Sequence, residues 1–200
     1  MAHKYLDLAF TDAVHAAQTR YFGRAQRIPP APDHDPLGPS EVEFVQARDS
    51  FYMGSVSETG WPYIQHRGGK PGFLRVLDSH TLGFADYKGN RQLISTGNLS
   101  GSDRVALFLM DYPGRSRLKL LGHARVLDAR EFPAELERLA LPDERRLVER
   151  MFLIDVVAFD WNCPKYITPR YSPAQVEEVV DPLRRRIAEL ETLLQQRSKP

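Results

Sequence analysis

The sequence predicts a mainly β protein, an antiparallel β-barrel with helices flanking it at both ends. Six or seven strand-length runs, apolar or alternating, follow one another closely between residues 51 and 161. Few turns of helix separate them, and the β-α-β alternation that builds a parallel sheet does not occur. No internal repeat or low-complexity tract interrupts the pattern.

Composition sets the outer limits. A chain of 200 residues can bury one substantial core, and 42% hydrophobic with 26% charged residues is ordinary for a globular protein. Its 27 basic and 26 acidic side chains leave a net charge of +1. No global field draws it to nucleic acid or an acidic membrane, so any basic site must be local. Cys163 is the single cysteine, which rules out an intramolecular disulfide and points to a reducing cytoplasm. No apolar run approaches the ~18 residues of a membrane span, and no signal-peptide core opens the chain. The expectation is a cytoplasmic protein.

The elements follow in order. Phe10, Val14, Ala17 and Tyr21 recur at helical steps, with Thr11 as N-cap and Gly23 as stop. Ile28 to Pro39 holds five prolines and reads as an extended connector on the surface or on a partner subunit. Ser40 and Glu43 have capping-box spacing ahead of a short helix through Val45 and Ala47. Phe51 to Ser57 is strand-like, and Glu58-Thr59-Gly60 turns it into the next strand at Trp61.

The stretch from Trp61 to Leu99 organises the rest. It opens with strand alternation, then breaks at Arg67-Gly68-Gly69, where two bare glycines let the backbone approach something a side chain would block. Two short strands, Phe73 to Leu77 and Thr81 to Ala85, are joined by the polar hairpin Asp78-Ser79-His80. Asp86 to Gln92 follows, with Lys88, Arg91 and amide donors around Gly89 just before a helix. Backbone amides at a helix start, together with Arg and Lys, make an anion site, most often for phosphate. A glycine loop on a sheet beside such a cradle suggests a flat, phosphorylated cofactor.

Beyond it, Ser100 to Asp103 reads as a polar turn. Val105 to Met110 is an apolar run typical of a strand buried on both faces. Arg117 to Leu127 is a strand with Leu118, Leu120 and Gly122 on one side and Lys119, Leu121 and His123 on the other. Glu131 to Arg138 and Asp143 to Met151 read as amphipathic helical pieces, and Phe152 to Trp161 as the last strong strand. Ser172 and Gln175 form a second capping-box spacing, with Pro173 in the first turn. Val176, Val180, Leu183, Ile187, Leu190 and Leu194 step as a heptad seam. Pro182 is expected to kink or restart that helix, with Asp181 as the new cap. The seam suits docking on its own subunit and a short coiled coil equally.

Several chemistries find no support. The six histidines show no paired ligand spacing with Cys163, so no metal site is expected. Gly-x-Ser-x-Gly, Walker and Gly-x-Gly-x-x-Gly patterns are missing. Cys163, before a proline, reads as a small buried residue. Arg67, Arg75, Lys88, Arg91, Arg115 and Arg117 fall at strand ends or loops. Arg67, Arg91 and Arg117 flank strands expected to be neighbours, and their convergence would need an anion. Trp161 reads either as core or as a shield for the edge of a ring system. His66 is a candidate general base, with a structural histidine as the plainer reading.

The order QHRGG, GFLRVL, FADYKGNRQ, GN, RVALFL and RLKLLGHARV, closing with FDWNCPKYI, resembles the pyridoxamine 5′-phosphate oxidase-like FMN-binding split-barrel flavoproteins over residues 40 to 170. The Gly89-Asn90-Arg91 loop and the RLKLLGHARV strand are its most specific parts. The resemblance implies a six-stranded antiparallel split β-barrel, a homodimer, and FMN in two grooves at the dimer interface. It divides the chain into an N-terminal helix and connector (1–39), the FMN-binding barrel (40–170) and a C-terminal helix (171–200). By position, His66, Arg67, Gly68 and Gly69 match the strand end lining the isoalloxazine and ribityl chain. Phe84 and Ala85 match a pair whose backbone approaches the flavin, and Asn90 and Arg91 the basic pair on the phosphate, with Gln92 beside them. Arg117 falls where the family sets a polar side chain against the ring, and Trp161 where the partner subunit adds an aromatic.

The chain also departs from that pattern. The true oxidases carry Ser-Arg-Lys where this chain has Gly89-Asn90-Arg91, one positive charge fewer. They end in an Arg-Leu-His type motif that grips the vitamin substrate, where this chain has Pro164-Lys165-Tyr166-Ile167 and Arg170 further on. The leading expectation is an FMN-dependent oxidoreductase of unassigned substrate and unassigned catalytic residues. Two rivals stand beside it: a non-catalytic binder of flavin, haem or deazaflavin, and a true pyridoxamine-phosphate oxidase.

Overall fold

Antiparallel pairing dominates the computed structural model, which describes residues 3–161 and 164–197. Cys163 lies outside the described residues, and so does any test of its burial. Two short helices come first, α1 (His3–Ala9) and α2 (Asp12–Phe22). Thr11 caps α2 through the Val14 N–H, and Gly23 ends it in the left-handed conformation at φ 75°. The proline-rich connector is pinned to its own chain. The Asp35 N–H donates to the Val157 carbonyl, and the buried Asp35 carboxylate accepts from the N–H groups of Lys4 and Tyr5 at the start of α1. Helix α3 (Pro39–Gln46) takes Gly38 as its N-cap, two residues before the one expected at Ser40. Glu41, not Glu43, reaches back to the Gly38 N–H, at 2.9 Å.

The strands are β1 (Ser50–Val56), β2 (Pro62–Gly68), β3 (Arg75–Val76), β4 (Thr81–Tyr87), β5 (Arg104–Asp111), β6 (Ser116–Asp128) and β7 (Val148–Trp161). They form one antiparallel sheet in the order β2-β1-β5-β6-β7-β4-β3. The expected count of six is therefore corrected to seven, one of only two residues, and the backbone ladder stays open between β2 and β3. Between those two strands Pro71 and Gly72, the latter at φ 84°, form a tight turn closed by the Phe73 N–H donating to the Lys70 carbonyl at 2.9 Å. The hairpin at Asp78 forms as expected, its carboxylate accepting from the N–H groups of His80 and Thr81 at 2.8 Å each.

The sheet is strongly rolled. Phe51 on β1 and Phe84 on β4 have three strands between them in the ladder, yet their rings meet edge to face at 5.4 Å. Inside the roll, Phe51, Met53, Leu82, Phe84, Leu107, Leu109, Leu118, Leu120, Phe152 and Ile154 make the main core. Gly122 on β6 sits opposite a bulge in β7, where the pairing passes from Leu121 with Ala158 to Gly122 with Val156 and leaves Val157 out.

Burial overturns one expectation about the strands. β5 is covered on one face only: Val105, Leu107 and Leu109 are buried, whereas Arg104 and Ala106 are exposed. The doubly covered strand is β7, whose Phe152 and Ile154 face the main core while Met151 and Leu153 face a second cluster with Leu139. That second cluster exists because α5 (Pro133–Leu139) lies on β4 and β7, while among the described residues no element covers the outer face of β5 to the same degree.

The helix expected over Asp143 to Met151 is a single 3₁₀ turn, Arg145–Leu147, after which the chain enters β7. Pairing of β7 with β4 and β6 overrides the local helical pattern there. Helix α4 (Ile94–Gly101) takes up Ser100 and Gly101, the first half of the polar turn expected from Ser100 to Asp103. Helix α6 (Pro173–Arg197) starts with the expected capping box, Ser172 and Gln175 each accepting from the other's N–H. It runs through Pro182 without restarting, and Asp181 pairs with Arg184 instead of capping. Its seam stays in solvent, with Val176, Leu183, Ile187, Leu190 and Leu194 all exposed. Among the described residues, no helix is long and apolar enough to cross a membrane.

Candidate functional site

Where the roll brings β2 opposite β4, a polar pocket of about 230 Å³ opens between them. Strand alternation on β2 turns Tyr63, Gln65 and Arg67 toward it. From β4 the chain passes through Gly89, Asn90, Arg91 and Gln92, all lining the pocket, into the first turn of α4. Two anchors hold α4 across the gap. The Ser95 hydroxyl donates to Gln65 Oε1 at 2.8 Å, and Asn98 donates to the buried Ser55 hydroxyl at 2.9 Å.

The loop geometry is unusual. Arg91 and Leu93 adopt left-handed backbone at φ 60° and 54°, a conformation that costs about 1 kcal/mol or more for a non-glycine residue. Asn90 stabilises the bend by accepting from the Gln92 N–H at 3.1 Å. No side chain caps α4, so the first-turn N–H groups of Ile94, Ser95 and Thr96, residues that line the pocket, have no helical acceptor.

Electrostatics complete the cradle. Arg67 pairs with Asp86 at 2.6 Å, and Asp86 also accepts from Arg150 at 3.1 Å. Burial pulls Arg67 below the ordinary arginine range, while the Asp86 charge and hydrogen bond push the other way. Arg67 also lies over the rings of Phe84 and Phe152, at 5.5 and 4.9 Å. Three guanidinium groups line the pocket against one carboxylate. The excess of positive charge at an uncapped helix start is a setting for a dianion such as a phosphate monoester.

The structure thus brings together Arg67, Asn90, Arg91 and Gln92 and disperses the other expected residues. His66 lies on the opposite face of β2, exposed, its ring against Tyr52 at 5.5 Å. Gly68 stays in the β1 ladder opposite Ser50. Gly69 makes room for its own chain: a methyl there would stand 2.7 Å from Phe73. Phe84 is buried and stacks on Phe152 at 4.8 Å. Ala85 and Gly69 border a separate cavity of about 510 Å³ beside Tyr87 and Glu144. Lys88 is exposed and outside the pocket lining. Arg117 lines a different cavity, so the expected convergence of Arg67, Arg91 and Arg117 does not occur within one chain. Trp161 docks on α3, donating to Glu41 at 2.6 Å and meeting Phe44 edge to face at 4.7 Å.

Sequence reasoning missed Asp86 and Arg150. Asp86 sits inside the quoted FADYKGNRQ motif, and its type beside so many cations was a usable signal. Arg150 gave none, because only the β4–β7 register sets it opposite Asp86.

A family model described as pyridoxamine 5′-phosphate oxidase matches residues 37–153. Among solved structures, HupZ of Group A Streptococcus is similar at a TM-score of 0.51 and 12% identity, covering 68% of this chain and 100% of that one. A Clostridium acetobutylicum protein related to general stress protein 26, of the pyridoxinephosphate oxidase family, has a TM-score of 0.47 and 16% identity, covering 60% of this chain and 83% of its own. An FMN-binding protein from Syntrophomonas wolfei reaches 0.42 at 10% identity, with 61% and 86% covered. No curated protein sequence matches this chain.

Proposed function

Because this chain belongs to the pyridoxamine 5′-phosphate oxidase family, we propose that it binds FMN and acts as an FMN-dependent oxidoreductase on a small molecule. The observation that carries the reading is the convergence of Arg67, Asn90, Arg91 and Gln92 with the uncapped start of α4 in one pocket. At about 230 Å³ the pocket is smaller than whole-ligand sites of roughly 300–1,000 Å³. It suits the phosphate end of the cofactor, with the ring lying outside it.

In this reading Arg91 and the first amides of α4 hold the phosphate. Arg67, kept in place by Asp86, adds charge without needing to move. Bound FMN supplies hydride and electron transfer, which no side chain of the cradle can provide. A second copy of the chain belongs to the proposal: Arg117 and Trp161 lie outside the cradle, so they reach a flavin seated there only from a partner. The partly uncovered apolar face of β5 supports such pairing.

The purified protein should be yellow with a flavin spectrum. Arg91→Ala should weaken FMN on the order of 10- to 100-fold, the loss of one charge-assisted contact. Reduction of the bound flavin by NADH or NADPH, with reoxidation by an acceptor, separates catalyst from carrier. A colourless protein that takes up no added FMN ends the reading.

A further inference from the structure

Helix α6 buries none of its side chains, and among the described residues no other helix or strand packs extensively along it. Its apolar residues are nevertheless not scattered. Val176, Leu183, Ile187 and Leu190 are exposed and, with Val180, fall on one stripe at steps of four and three. Val179 and Leu193, exposed as well, flank the stripe and widen it. A continuous apolar strip on a helix that its own barrel leaves uncovered marks a surface for another molecule.

The register says what that molecule is. Numbering the stripe as a heptad puts Val180 and Ile187 at position a and Leu183 and Leu190 at position d. β-branched residues at a with leucine at d are the pattern of two parallel strands. Pro182 then falls at position c, on the outside of such a pair, so the stripe passes it uninterrupted.

Charge fixes the orientation. Arg186 stands at position g and Glu191 at position e, which face each other across a parallel pair. On its own helix Arg186 reaches Glu189 at 2.9 Å, and Glu191 has no ion pair among the described residues. The neighbouring g and e positions set Val179 against Arg184, so no like charges meet. Turned antiparallel about the same centre, Arg184 would face Arg184, Arg186 would face Arg186, and Glu177 would face Glu191. Each of those contacts sets like charge against like, which disfavours that arrangement.

We propose that α6 pairs with α6 of a second copy of this chain as a parallel two-stranded coiled coil. The stripe around Leu183 and Ile187 forms its seam, and Arg186 of each copy faces Glu191 of the other. The inference rests on α6 alone, and neither FMN nor pairing over β5 is needed for it. Because each helix meets its counterpart and not the sheet, the pairing leaves the barrel's own unfolding untouched.

Disulfide trapping in the full chain tests it, with Cys163→Ser removing the single natural thiol. Leu183→Cys and Leu190→Cys, each alone, should link into covalent dimers under mild oxidation. Each should link at least about tenfold faster than Thr192→Cys, which lies at position f on the outer face. Adding Arg186→Glu to Leu190→Cys should slow linking about fivefold, and adding Glu191→Arg to both should restore it. Far-ultraviolet circular dichroism shows that each variant keeps its helix. Linking between Leu183→Cys and Leu190→Cys proteins when mixed, but of neither alone, would mean antiparallel pairing and overturn the proposal. So would linking no faster than that of Thr192→Cys, or indifference to Arg186→Glu. FMN content is read separately by absorbance. A colourless protein whose helices link ends the flavin reading alone, and a yellow one whose helices do not link ends this one alone.

Discussion

Arg67 on β2 and Asp86 on β4 meet at 2.6 Å although four strands lie between them in the ladder. The pair spans the open side of the rolled sheet, where backbone pairing stops, and Arg150 from β7 makes it a triad.

Removing the carboxylate leaves two half-buried guanidinium groups facing each other. Asp86→Asn should therefore cost about 3 kcal/mol in urea unfolding, while Arg67→Met with Asp86→Leu should cost less, since the one guanidinium then left, Arg150, keeps Glu149 at 3.1 Å. A single substitution no worse than the double would show that the triad does not close the roll.

Tyr87 and Glu144 form a second coupled pair, the phenol donating to the carboxylate at 2.6 Å. Burial, then that hydrogen bond, pushes the Tyr87 phenol up to about 12 from 10.0. The same bond, then Lys70, holds Glu144 below its ordinary 4.5. Glu144 thus contributes stability above about 4.5 that is lost as pH falls through its lowered folded value. Tyr87 contributes stability that is complete below 10.0 and lost as pH rises toward about 12. Tyr87→Phe should flatten both the acid and the alkaline limb of urea stability plotted against pH; unaltered limbs would refute the coupling.

Two glycines should respond oppositely to alanine. At Gly122 a methyl would run into the backbone oxygen of Asp155 beside the β7 bulge, so Gly122→Ala should lower stability by about 1–3 kcal/mol. At Gly97, inside α4, a methyl meets nothing within 4 Å, and Gly97→Ala should raise stability by about 0.5–1 kcal/mol. Thermal midpoints of the two variants check the pair.

Pro182 removes one N–H from the interior of α6. Pro182→Ala should stabilise that helix locally by up to about 3 kcal/mol and slow amide exchange over residues 173–197. With its seam exposed, α6 should leave the urea midpoint of the barrel unmoved. A shifted midpoint would mean that the helix packs on something.

Much of the fold was legible in the residues because it is decided within a few positions. Thr11 and Gly23 bound α2, Asp78 turns the hairpin, and Ser172 with Gln175 starts α6, each through a contact between near neighbours. Strand alternation likewise set the buried face of β1 and β6. Part of the anion cradle was legible for the same reason, since Asn90, Arg91 and Gln92 adjoin the helix they precede.

The tertiary structure alone decided which face of β2 points where, so that Arg67 enters the cradle and His66 leaves it. It also decided that β7 rather than β5 is covered on both sides, that the stretch after Asp143 pairs instead of coiling, and that Arg117 serves another cavity. In each case the deciding partner is far away in sequence. No local spacing encodes which strand, helix or counter-ion the rolled sheet will bring against a given side chain.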